Sequence, residues 1–263
     1  MKKIFIALSV IFLFLSCEKE ADYNAKFTAI DSNLYTFVKF VNAYSFATPL
    51  FSGQTSASVQ LTYNGFQFSG IPIVYGGAFP ASNSYATVYR VNTVSDMFVR
   101  LALGTPPAAV RDSFLFAFTP QLKLRKYYSF FFCDSINKPN TMLITEDDVR
   151  LPGGPNLYRV RFANFIPNPP SGTPAIDVYS TLSNSVIFSG IRYKQVTPFL
   201  ELPRNSNATA YTDTYQIRWA GTTIVVGTLA VQLNNQMSVT LFSRGLVGTT
   251  GARAPGLSSY RNQ

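Results

Sequence analysis

The chain has 263 residues, of which 15% are aromatic and only 13% charged, with 22 basic and 13 acidic side chains and no histidine. That charge content is about half the usual quarter of a soluble domain, which excludes a coiled coil, a collagen-like rod and an acidic disordered tail. Without histidine the commonest general base and the commonest metal ligand are gone, and two cysteines cannot build a disulfide scaffold or a zinc cage.

Met1-Lys2-Lys3 forms a positive start, and Ile4 to Ser16 is a run of 13 uncharged residues. A bilayer needs about 20 apolar residues, so the run is a signal-peptide core rather than a span. Phe14-Leu15-Ser16 leads directly into Cys17. This resembles a bacterial lipoprotein signal: residues 1–16 are expected to be removed and Cys17 to become the lipidated N-terminus, held by acyl chains at about 0.8 kcal/mol per buried CH₂. Residues 17–30 read as a flexible tether. Glu18, Glu20 and Asp22 beside the cysteine resemble the signal that sends some Gram-negative lipoproteins to the outer face of the outer membrane; a solvated linker is the alternative. The expected location is the outer membrane, lipid-anchored on the extracellular side, with the periplasmic side as the alternative.

The next signal is internal repetition. Phe37-Val38-Lys39-Phe40-Val41-Asn42 recurs as Arg159-Val160-Arg161-Phe162-Ala163-Asn164, an offset of 122. Phe68-Ser69-Gly70-Ile71 recurs unchanged as Phe188-Ser189-Gly190-Ile191, an offset of 120. Two landmarks in one order predict a first β-sandwich over 31–150, divergent from a second over 158–246. The Pro- and Gly-rich stretch around Gly153 marks a linker at 151–157. Residues 247–263 are left as a C-terminal tail, loose or docked on a partner.

Within both copies the period is two. Tyr158-Arg159-Val160-Arg161-Phe162 and Tyr215-Gln216-Ile217-Arg218-Trp219 alternate, which places one face on a core and the other in water. Seven such runs in the second copy, near 158–165, 175–180, 185–188, 196–202, 212–219, 223–231 and 236–244, suggest an antiparallel β-sandwich. No segment has a helical pattern. Tyr127 to Cys133 is apolar on both faces and reads as a central, covered strand, with Cys133 a buried thiol. Alternation and aromatics also suit an outer-membrane β-barrel, but the lipidation signal and the polar end Arg261-Asn262-Gln263 count against it.

Candidates for chemistry are few. Adjacent acids Asp147-Asp148 could in principle hold calcium or act as an acid–base pair, but neighbours in an extended segment point to opposite sides and cannot flank one bond. Asp177 reads as a surface or turn-bonding carboxylate. Asn42 and Asn164 hold the same place in both copies and are expected to pin a neighbouring loop. Lys123-Leu124-Arg125-Lys126 is a solvated turn, and the remaining basic residues are scattered, so no nucleic acid is expected. Gly76-Gly77 and Gly153-Gly154-Pro155 lack the strand, helix and Lys of a phosphate loop. No catalytic group, cofactor or metal site is assigned. Loop tyrosines Tyr75, Tyr85, Tyr193 and Tyr211, with Tyr89 beside them, are the candidate partner or ligand contacts.

Val160 to Asn164 followed by Pro174-Ala175-Ile176-Asp177-Val178-Tyr179 resembles the opening strands of the domain of unknown function numbered 4397. Phe199 to Pro203 with Tyr215 to Arg218 is similar to its middle, and Ser238 to Gly245 to its closing strand. The first copy shares the opening but has Val59-Gln60-Leu61-Thr62 where the second has Ile176 to Tyr179. The resemblance implies tandem immunoglobulin-like sandwiches on secreted or lipid-anchored bacterial proteins, and it implies no reaction. The expected function is a non-catalytic structural or binding subunit of an outer-membrane protein complex; the alternative is glycan binding or adhesion through loop aromatics.

Overall fold

The computed structural model describes residues 32–44, 58–63, 66–89, 97–102, 114–133, 142–204 and 211–263. The signal segment, Cys17 and the tether lie outside the described residues. Among those described there is no α-helix; the chain is built from strands. The first half contributes β1 (Tyr35–Asn42), β2 (Ser58–Tyr63), β3 (Phe66–Gln67), β4 (Ala78–Phe79), β5 (Ala86–Tyr89), β6 (Met97–Ala102), β7 (Phe114–Phe118), β8 (Tyr127–Phe132) and β9 (Met142–Glu146). The second contributes β10 (Leu157–Ala163), β11 (Ala175–Ser180), β12 (Ser185–Arg192), β13 (Leu200–Pro203), β14 (Tyr211–Trp219), β15 (Val225–Leu233), β16 (Ser238–Arg244) and β17 (Gly256–Arg261).

Four sheets result. β1 lies between β8, which it joins in parallel, and the antiparallel pieces β4 and β5; β9 flanks β8. The second sheet runs β3-β2-β6-β7. The second half repeats both: β13-β10-β16-β17 with the same parallel β10–β16 pair, and β12-β11-β14-β15.

Alternation explains what each sheet buries. Val38 and Phe40 of β1, Tyr128, Phe130 and Phe132 of β8, and Val59 and Leu61 of β2 form one core between the first two sheets. Val160 and Phe162, Ile176 and Val178, Tyr215 and Ile217, and Val239 and Leu241 form another between the second two. A third core joins the halves. It takes Val41, Ala43, Phe131 and Cys133 from one and Ala163, Phe165, Phe242 and Tyr260 from the other. Phe131, Phe165 and Phe242 are fully buried, and each removes enough apolar surface to contribute roughly 1.5–3 kcal/mol. Asn33–Gln263 accordingly forms one compact unit.

Several expectations change. The basic face of β10 is not in water: Arg159 and Arg161 are each 3% exposed. Residues 247–263 are not only a tail, because β17 pairs antiparallel with β16 along its whole length; its apolar positions Leu257 and Tyr260 are spaced by small polar residues, which hid the strand. The repeat Phe-Ser-Gly-Ile is two residues out of structural register. Val59 bridges Ile73, as Ile176 pairs with Ile191, so Ile73 is the equivalent of Ile191. Ile73 is 4% exposed and Ile71 69%.

The two asparagines behave alike. Asn42 Nδ2 donates to Ile73 O at 3.0 Å, and its Oδ1 accepts from Tyr44 N at 3.2 Å. Asn164 Nδ2 donates to Ile191 O at 2.8 Å, and its Oδ1 accepts from Ile166 N at 3.1 Å and Ser243 Oγ at 2.7 Å. Each side chain ties the end of the first strand of its half, β1 or β10, to a segment paired with the facing sheet, at Ile73 beside β2 or at Ile191 in β12. Asn164→Ala strands buried donors and an acceptor, and we expect it to cost about 2 kcal/mol in urea unfolding; a loss below ~0.5 kcal/mol would mean that the pin does not hold the strand.

Candidate functional site

A buried constellation of polar groups lies where the β1/β8 sheet packs on the β10/β16 sheet. It grows from the basic faces of β1 and β10. Lys39 is fully buried, and its Nζ donates to Pro80 O at 3.2 Å and Ser82 O at 2.6 Å. Its ammonium also lies 5.2 Å from the Tyr85 ring centroid and 5.6 Å from that of Tyr260. Arg161 reaches the carboxylate of Asp147 with 2.6 Å between Nη2 and Oδ1, and its Nε donates to Thr240 Oγ1 at 2.8 Å. Asp147 Oδ2 accepts from Ser129 Oγ at 2.5 Å and Tyr85 OH at 2.7 Å. Tyr260 OH donates to Ser129 Oγ at 2.7 Å, and Thr240 Oγ1 to Asn262 Oδ1 at 2.6 Å.

Electrostatically, two cations face one carboxylate away from water. Burial pushes the Lys39 ammonium down to about 8, against the opposing pull of Asp147. Burial first, and then the charge of Asp147, raises the Tyr85 phenol; burial also raises Tyr260. The hydroxyl of Ser129 touches a carboxylate, and the residue is fully buried. The cluster joins two sheets.

Asp147 and Asp148 do point apart. Asp148 faces the outside, held by Arg150 Nη2 at 2.7 Å and Arg159 Nη2 at 2.6 Å, and the Arg150 hydrogen bonds hold its carboxyl well below the usual range. Arg159 also donates to the carbonyls of Asp148 and Arg150, and the Phe199 ring lies 4.7 Å from the guanidinium of both Arg159 and Arg161. A groove of about 300 Å³ opens here, lined by Thr145, Asp148, Arg150, Thr197 and Phe199 among others. Asp177 is a turn-bonding carboxylate, accepting from Gly190 N at 2.7 Å and Gly221 N at 2.9 Å. Among the described residues no group of three or more His, Cys, Asp or Glu is placed to hold a metal ion.

The predicted tyrosines are not gathered at one site. Tyr85 turns its hydroxyl into the buried cluster, and Tyr211 is 8% exposed in the second core, with Arg204 over its ring. Tyr75 and Tyr193 are half-buried. Arg244 covers the Tyr75 ring at 4.9 Å; Tyr193 OH donates to Cys133 O at 3.0 Å. The side chain of Tyr89 lies outside the described residues. Cys133 is a buried thiol outside any disulfide. Sequence reasoning missed Lys39, Arg161, Tyr260 and Asn262 as members of a cluster.

No family model and no curated protein matches the chain. Among solved structures it is similar to a leucine-rich repeat protein from Bacteroides thetaiotaomicron, with 14% identity and a TM-score of 0.16 over 82% of this chain and 26% of that one. The chain thus spans about a quarter of that protein's length.

Proposed function

We propose that this chain is an outer-membrane lipoprotein, anchored through an acylated Cys17 and facing the cell surface. Its paired sandwiches, immunoglobulin-like as the resemblance to the domain of unknown function numbered 4397 implies, serve as a non-catalytic structural or binding subunit of an outer-membrane protein complex. The observation that carries the binding role is where the side chains are spent. The ionisable groups of the sheet junction engage one another in the interior, while large apolar side chains stand open in the connections between strands: Ile71 is 69%, Val74 61% and Ile224 61% exposed. Open apolar side chains beside half-buried aromatics favour a protein partner. The basic n-region, the short apolar run and Cys17 support the anchor.

The test is made in the native host. Metabolic labelling with a fatty-acid analogue is expected to mark the mature chain, and Cys17→Ala to abolish the label. Affinity purification from solubilised outer membranes is expected to recover a membrane protein, with glycan arrays silent. An unlabelled parent chain would overturn the anchor. Glycan binding without a protein partner would overturn the subunit role in favour of adhesion.

A further inference from the structure

The two halves meet through equivalent faces. Lys39 stands opposite Ser129 in the parallel pair β1–β8, and Arg161 opposite Thr240 in β10–β16. Two residues before those hydroxyls, the carbonyls of Tyr127 and Ser238 accept from Asp147 N at 2.7 Å and from Asn262 N at 2.8 Å. Lys39, Ser129 and Asp147 are thus the counterparts of Arg161, Thr240 and Asn262. The apolar surround follows the same correspondence: Val41 with Ala163, Ala43 with Phe165, and Phe131 with Phe242 all sit in one core.

Contacts across the junction are reciprocal. Gly76 N donates to Asn42 O as Lys194 N does to Asn164 O, which makes Tyr75 the counterpart of Tyr193. By strand register Cys133 is the counterpart of Arg244. Tyr75 of the first half touches Arg244 of the second, and Tyr193 of the second touches Cys133 of the first. The counterparts Asp147 and Asn262 also touch each other, 3.4 Å between Oδ2 and Nδ2. A pair meeting its own counterpart, flanked by exchanged pairs, is the signature of a two-fold interface.

We infer that the outer face of the β1/β8 sheet and its counterpart on β10/β16 form an isologous dimer interface enclosed within one chain, so that the partner each half is built to bind is another module of its own kind. The interface needs one carboxylate to face two buried cations, and symmetry offers two places for it. At present it stands at 147 and reaches Arg161 of the other half. At 262 it would stand in the symmetric place and face Lys39. The segment 151–156 connects the halves but does not create their contact.

The experiment moves the charge within the full chain. Asp147→Asn is expected to lower the unfolding midpoint by on the order of 10 °C, since it leaves two buried cations without an anion. Adding Asn262→Asp is expected to restore at least half of that loss. If the single variant does not accumulate, recovery of a folded double variant carries the same reading. No recovery, or a further fall, would overturn the inference, as would an Asp147→Asn variant as stable as the parent. A protease site placed at the exposed Leu151 (52% exposed) gives an independent readout. The cut halves are expected to migrate together at the mass of the intact chain; separation or unfolding of the cut protein would equally overturn it.

Discussion

Asp147→Ala is expected to lower the unfolding free energy by about 3–5 kcal/mol, whereas Asp148→Ala, one residue on, is expected to lower it by no more than about 1 kcal/mol. The two carboxylates have the same chemistry and opposite surroundings. The Asp147 side chain is 0% exposed and the Asp148 side chain 39%. Removing Asp147 leaves the buried Arg161 without its counter-charge, and Ser129 and Tyr85 without their acceptor. Loss of one partner from a buried pair costs more than the pair was worth, because the surviving charge stays desolvated. Removing Asp148 frees Arg150, whose side chain is 81% exposed. It leaves the buried Arg159 still donating to two main-chain carbonyls and still facing a carboxylate, with Glu201 Oε1 3.8 Å from its Nε. Calorimetry or urea unfolding of the two variants checks this; equal losses would mean that burial does not distinguish the acids.

The strands were legible because period-two alternation is a local signal. Tyr158 to Phe162 and Tyr215 to Trp219 alternate so plainly that β10 and β14 could be placed within a residue or two. Tyr127 to Phe132 was recognisable as a covered strand because it is apolar on both sides, and β8 is indeed flanked by β1 and β9. What alternation cannot say is what lies beyond each face. The charges of β1 and β10 look like a solvated side, since a Lys or Arg between apolar neighbours ordinarily is one. Their burial follows from another sheet, distant in sequence, landing on top. The one hint was that Lys39 and Arg161 fall at the same place in both repeats, flanked in each by the same apolar neighbours. Tyr260 and Asn262 gave no such hint: Gly256 to Arg261 alternates too weakly to announce β17.

The repeat also misleads where local similarity and structural equivalence part. Phe68 to Ile71 matches Phe188 to Ile191 letter for letter. The first half, however, spends two more residues before its isoleucine bridges Val59. Asn42 fixes that register, because its side chain bonds to Ile73 O as that of Asn164 bonds to Ile191 O. A hydrogen bond across the fold, rather than the motif, sets which isoleucine enters the core.

The same cluster predicts an unusual dependence on pH. Stability is expected to rise between pH 8 and pH 9.5, by up to about 2 kcal/mol, and Lys39→Met is expected to remove that rise. Burial pushes the Lys39 ammonium from 10.5 down to about 8 in the folded chain, while the unfolded chain keeps the ordinary value. Between those two values the unfolded chain therefore binds the extra proton, and raising the pH favours the folded state by up to about 1.4 kcal/mol per pH unit. Below pH 8 both states hold the proton, and the full cost of burying the ammonium, about 3 kcal/mol, is present. The groups facing Lys39 do not titrate the other way in this window. The Tyr85 and Tyr260 phenols are raised by burial, and Arg161 stays charged. Above about pH 10 the unfolded tyrosines lose protons that the folded ones keep, which reverses the slope and sets the upper limit of the measurement. Lys39→Met keeps the length of the stem and removes the charge. It gives up the bonds to Pro80 and Ser82, but Ser82 is exposed and its carbonyl can turn to water. At pH 7 the variant is therefore expected to be at least as stable as the parent, although a charged residue has been taken from a paired interior cluster. Urea midpoints of both chains at pH 7, 8, 9 and 9.5 decide it: parallel profiles would show that the ammonium is solvated, and a less stable variant at pH 7 would show that its bonds to the turn outweigh its burial.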